Sequence, residues 1–102
     1  MIKLLITGVA GKMGNTILNL AIKDDEIEVT GATEAEGHPL IGKQLPLSVG
    51  DISTITVHRD ISEIIKGCDV VVDFTLPGPS LQHFRIANSA GKAMVIGTTG
   101  FS

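Results

Sequence analysis

The residues best suited to chemistry form one short run near the N-terminus, Gly8-Val9-Ala10-Gly11-Lys12-Met13-Gly14. Glycines at this spacing can turn the chain sharply and bring another group close to the main chain with no Cβ in the way. Gly8 would allow the turn, Gly11 the close approach, and Gly14 tight packing of a following helix against a sheet. A helix opening here presents free N–H groups and a partial positive charge, a receptor for phosphate oxygens. Lys12 adds a direct charge. Without a ligand, the same run would be a tight strand-to-helix turn. Glu34 is the second candidate, about 20 residues beyond Gly14, where a carboxylate can accept hydrogen bonds from ribose hydroxyls. Such a carboxylate would repel a 2′-phosphate, so it favours NAD over NADP. Its neighbour Glu36 is the residue to distinguish from it.

Two further segments combine small residues, hydroxyls and free backbone groups: Asp73-Phe74-Thr75-Leu76-Pro77 and Gly97-Thr98-Thr99-Gly100. Both follow apolar runs, and ligands of open α/β sheets bind beyond the carboxyl ends of strands. They suit a ribose and a nicotinamide carboxamide, although ordinary turn chemistry would look the same. His38, His58 and His83 have no spacing that suggests a metal site. Cys68 is the sole cysteine, which excludes an internal disulfide and suits a reducing, cytoplasmic setting. No Ser-His-Asp arrangement is apparent, and no Lys or His has an obvious claim to be a general acid. The chain offers a place for a cofactor and no catalytic residue.

The elements that must position these groups alternate along the chain. Leu4-Leu5-Ile6 reads as a buried strand ended by Gly8, and Ile17, Leu18, Leu20 and Ala21 recur at helical spacing up to about Lys23. Ile27 to Thr33 reads as a second strand, completing a βαβ unit. Ala35 to Asp51, with Gly37, Pro39, Gly42, Pro46 and Gly50, is expected to be an irregular loop. Ile55–Val57 is a short strand; Asp60 or Ser62 could cap a short helix through Ile64 and Ile65 to Gly67. Asp69–Phe74 is a β-branched, buried strand. Pro77–Ala90 reads as a helix with Gly91 past its end, and Ala93–Ile96 as a last strand.

These elements predict a single α/β domain over residues 1–102, Rossmann-like and doubly wound, with a mostly parallel sheet of about five strands in the order 3-2-1-4-5. The 102 residues fit one domain. Hydrophobic residues make up 43% and aromatic residues only 3%, so the core must be aliphatic, as in buried parallel strands. The formal net charge is −3 with no basic block, which argues against nucleic acid as a partner. The N-terminal apolar run is too short for a signal peptide or a membrane span.

The glycine run, Asp73-Phe74-Thr75-Leu76-Pro77 and Val95-Ile96-Gly97-Thr98-Thr99-Gly100-Phe101 together closely resemble the dihydrodipicolinate (4-hydroxy-tetrahydrodipicolinate) reductases, whose usual forms are G-x-x-G-R-M-G, D-F-T-x-P and V-I-G-T-T-G-F. The resemblance implies hydride transfer from NADH or NADPH on the diaminopimelate route to lysine. It implies that Gly8, Gly11, Lys12 and Met13 border the pyrophosphate, with Gly14 completing the turn, and that Glu34 meets the adenosine ribose. Phe74 and Thr75 would lie along the cofactor, Gly97 and Thr99 near the nicotinamide, and Thr99 would also be the candidate for substrate contact. Two positions depart from the family pattern. Lys12 replaces the usual Arg and loses its planar fork. Ala35 stands where members that use NADPH well often carry Arg, so NADH is the expected preference. In the family a second domain follows G-T-T-G-F and carries the substrate site and the tetramer interface. The chain stops at Ser102, so it is expected to bind a dinucleotide without turnover and to expose an apolar patch. A stand-alone dinucleotide sensor and the cofactor domain of another two-domain dehydrogenase, of the aspartate or homoserine type, are the competing readings.

Overall fold

In the computed structural model, residues 2–35, 37–46, 54–74 and 77–97 are described. Five strands run parallel: β1 (Ile2–Thr7), β2 (Ile27–Thr33), β4 (Thr54–His58), β5 (Val70–Asp73) and β6 (Ala93–Ile96). Their order is β4-β2-β1-β5-β6, the expected 3-2-1-4-5 arrangement. A sixth strand, β3 (Gln44–Pro46), pairs antiparallel with β4 at the edge. It lies inside the segment expected to be irregular. Three residues that follow a glycine turn and end in a proline carry no readable alternation, so only pairing with β4 reveals the strand.

The alternation of side chains along the strands splits the core into two layers. Leu4, Ile6, Val29, Ala32, Ile55 and Val57 point to one face, where helix α1 (Lys12–Ala21) covers them with Leu18 and Ala21. Leu40 and Ile41 pack at the margin of that layer, so the segment after β2 helps to cover it without a helix. Leu5 and Val71 point to the opposite face, where helix α2 (Pro77–Ser89) adds Ala87 and Ile86. A sheet covered on both sides explains why its strands read as aliphatic runs.

The connection between β4 and β5 corrects one expectation. It is not one short helix but two 3-10 turns, Ile61–Glu63 and Ile65–Gly67, separated by Ile64 in a non-helical conformation. Asp60 is the cap, accepting from the Ser62 N–H at 2.9 Å. Ile61 and Ile65 are both buried, and Ile64 reaches across to the backbone of Gly31 on β2. Holding these three isoleucines against the sheet overrides a regular helical repeat.

The ladder between β1 and β2 slips by one residue, from Leu4 opposite Val29 to Leu5 opposite Gly31. Thr30 is the extra residue, and its hydroxyl donates to the Leu4 carbonyl at 3.2 Å. The slip lies before the carboxyl ends, where Thr7 and Thr33 are again paired.

Candidate functional site

The glycine run occupies the carboxyl end of β1. Gly8 has φ +69°, a left-handed conformation that a side chain would strain. The Gly8 and Val9 N–H groups donate to the Thr33 carbonyl at 3.0 and 3.3 Å, so the turn is tied to the end of β2. The Gly11 N–H donates back to the Gly8 carbonyl at 3.0 Å. A Cβ at Gly14 would collide with the Gly8 carbonyl and crowd Val9 Cα. Helix α1 therefore starts in direct backbone contact with the turn, the close packing expected of the third glycine.

Gly11 is the N-cap of α1, with no side-chain cap hydrogen bond and no acidic residue in the first turn. The first N–H groups of a helix have no intrahelical partners. Lys12 is the first helical residue and is exposed, as is Met13. A cation in this position gains nothing from the helix dipole, which favours negative charge there. Both features suit an anionic ligand.

Glu34 follows β2 and is half-buried. Its carboxylate accepts from the Ala10 N–H at 2.6 Å and from its own neighbour, the Ala35 N–H, at 3.1 Å. The acid and the glycine turn are thus brought together, which the spacing alone did not require. Ala35 is exposed; Glu36 lies outside the described residues.

On the other side of β1, Phe74 follows β5 and Gly97 follows β6. A Cβ at Gly97 would run into the Phe74 ring, so the ring lies directly over this glycine. The Gly97 N–H donates to the Asp73 carbonyl at 2.7 Å. Thr75 and Thr99 lie outside the described residues.

The network that sequence reasoning missed is centred on Asp73. Its side chain is fully buried. The Thr7 hydroxyl, also buried, donates to Asp73 Oδ1, and His83 Nδ1 on α2 lies 3.1 Å from the same oxygen. Thr7 and Asp73 are paired across the β1–β5 ladder, so strand register delivers this contact across 66 residues of sequence. The signal available was modest: a carboxylate ending a fully apolar run.

His83 also borders an open groove with Arg59, Asp60, Gln82 and Ile86. The Ser62 backbone N–H and hydroxyl hold the Asp60 carboxyl below the usual carboxylate range, with smaller help from His83 and Arg59. His58 pairs with Glu63 at 3.5 Å. Burial pushes the Cys68 thiol above its ordinary value, which leaves little thiolate for reaction. Among the described residues, no group of three or more His, Cys, Asp or Glu could hold a metal ion. Among the same residues, no helix is long and apolar enough to cross a membrane.

A parallel sheet covered on both faces, with a glycine turn opening the first helix, defines a Rossmann-like α/β domain. The family model described as "Dihydrodipicolinate reductase, N-terminus" matches residues 2–102, and the chain belongs to that family. It is 40% identical over 103 residues to the 4-hydroxy-tetrahydrodipicolinate reductase of Syntrophobacter fumaroxidans, covering 100% of this chain and 39% of that protein. The dipicolinate-bound dihydrodipicolinate reductase of Paenisporosarcina sp. TG-14 superposes with TM-score 0.79 at 23% identity, over 100% of this chain and 39% of that one. Aspartate semialdehyde dehydrogenase II of Vibrio cholerae superposes with TM-score 0.77 at 19% identity, over 97% of this chain and 31% of that one. The chain therefore spans about 39% of the length of the reductases it matches.

Proposed function

We propose that this chain is the cofactor domain of a cytoplasmic 4-hydroxy-tetrahydrodipicolinate reductase of lysine biosynthesis, and that it binds NADH in preference to NADPH. The observation that carries the reading is the uncapped start of α1, with Lys12 exposed at its first residue and Glu34 held by the N–H of Ala10, the residue before the N-cap. Family membership narrows this receptor for an anionic, ribose-bearing ligand to a nicotinamide dinucleotide. The fold it shares with an aspartate semialdehyde dehydrogenase does not favour that other activity.

When bound, the dinucleotide supplies the hydride. The residues of this chain bind and orient it. Gly8, Gly11, Met13 and Gly14 shape the pyrophosphate turn; its own N–H groups are engaged by Thr33, Glu34 and Gly8, so the first N–H groups of α1 and Lys12 are the ones that face the phosphates. Glu34 accepts from the adenosine ribose. A carboxylate has about four acceptor sites, so Glu34 can take ribose hydroxyls while it keeps the Ala10 N–H. Phe74 and Gly97, with Thr75 and Thr99, border the nicotinamide half, and Thr99 also meets substrate. No residue here is assigned to proton transfer. That role falls to a second domain, and the full-length enzyme is a homotetramer.

The preference for NADH follows from charge. Glu34 repels a 2′-phosphate, and Ala35 provides no cation to offset it. Calorimetric titration of the chain with each cofactor tests this: NADH should bind about tenfold or more tighter, a difference of about 1.4 kcal/mol. Tighter NADPH binding overturns the preference. No heat with either overturns the site.

A further inference from the structure

Asp73 is a buried carboxylate, and such a group is costly unless hydrogen bonds hold it. Its bonds connect the end of β1, helix α2 and, through its backbone, the end of β6. The Thr7 hydroxyl reaches it from the residue before Gly8. His83 reaches it from α2 at 3.1 Å. Its own carbonyl receives the Gly97 N–H at 2.7 Å, and the next residue, Phe74, lays its ring over Gly97. The Glu34 contacts, with Ala10 and Ala35, lie on the other side of β1 and do not pass through Asp73.

A dinucleotide bound at the strand-order reversal straddles β1, with one nucleotide half toward β2 and the other toward β5 and β6. We infer that Asp73 is a positioning residue for the second half. It holds the end of β1, Phe74 and Gly97 in one register, and so sets affinity for the nicotinamide nucleotide while Glu34 serves the adenosine side. Thr7 and His83 act through it. This inference rests on the dinucleotide reading above.

The test compares NADH with ADP-ribose, which lacks the nicotinamide, on the 102-residue chain. Thr7→Val removes the hydroxyl at nearly constant shape. It should weaken NADH about tenfold, as expected for loss of a hydrogen bond to a charged group, and change ADP-ribose less than about twofold. Thr7→Ser restores the donor and should restore the ratio. His83→Leu and His83→Asn form a second pair on a less buried partner, for use if Thr7→Val fails to fold; His83→Asn keeps an N–H donor near the Nδ1 position. Selective loss and rescue support the assignment. Equal weakening of both ligands in folded variants overturns it and makes the network merely structural. A wild-type chain that binds ADP-ribose as tightly as NADH overturns it too, and leaves the dinucleotide site standing. A wild-type chain that binds neither overturns the dinucleotide reading and the inference together.

Discussion

Beside β2, the candidate site is made mostly of backbone, with the Glu34 and Lys12 side chains added to it; beside β5 and β6, it is made mostly of side chains. On the first side, Gly8, Gly11 and Gly14 touch main-chain atoms, and the turn hangs from the Thr33 carbonyl. On the second, a buried carboxylate, a hydroxyl, an imidazole and a phenyl ring do the positioning. The covering differs as well. Along β1 the last four residues are buried, whereas β6 exposes Val95 and Ile96, and α2 exposes Leu81 and Phe84. Ile2, Met13 and Leu20 are exposed on the other side, so what distinguishes this side is that its last strand, and not only its helix, is left uncovered. Backbone-built sites depend on residues being absent, and side-chain-built sites on residues being present. The two should fail differently.

The largest effect separates the two kinds of glycine. At Gly14 a methyl group meets the Gly8 carbonyl and Val9 Cα, atoms of two residues whose N–H groups are tied to the Thr33 carbonyl. Gly14→Ala should destabilise the chain by about 3 kcal/mol or more in urea unfolding, at the upper end of overpacking costs. At Gly97 the obstacle is a ring edge that can rotate away, so Gly97→Ala should cost only about 1 kcal/mol. It should still weaken NADH, because the displaced Phe74 ring borders the proposed nicotinamide site. Equal losses at the two positions would break the comparison.

A second pair concerns the core. Leu5 is fully buried between β1 and the layer under α2. Leu5→Ala should cost about 3 kcal/mol, in the range for cavity-forming changes, read as a shift in urea midpoint with unchanged slope. A loss below about 1 kcal/mol would mean that the α2 layer is loosely packed.

The same division explains what the sequence made legible. Glycine spacing is local, so the turn, α1 and β2 could be read from a stretch of some thirty residues. The five parallel strands could be read from their aliphatic residues, which are continuous in β1, β5 and β6 and interrupted by Glu28 and Thr30 in β2. The antiparallel β3 did not, since its pairing with β4 bridges the segment between them and its three residues have no period of their own. Neither did the 3-10 crossover, where tertiary packing of Ile61, Ile64 and Ile65 replaced a local preference. The Asp73 network needs strand order first: Thr7 and Asp73 become neighbours only once β1 pairs with β5. Ala10 meeting Glu34 likewise requires the turn and the end of β2 to be assembled.

The smallest expected effect lies on β6, the edge strand, where Ile96 is 45% exposed. An exposed, β-branched edge residue contributes little to the fold, and threonine keeps the branching that a strand favours. Ile96→Thr should therefore change stability by no more than about 0.5 kcal/mol. It should nonetheless act on association, because an apolar edge is a template for pairing with another chain. Sedimentation at rising concentration should show less self-association for the variant than for the parent chain. A loss above about 1 kcal/mol with no change in association would place Ile96 in the core, and the contrast between the two sides of the sheet would then be one of chemistry alone and not of covering.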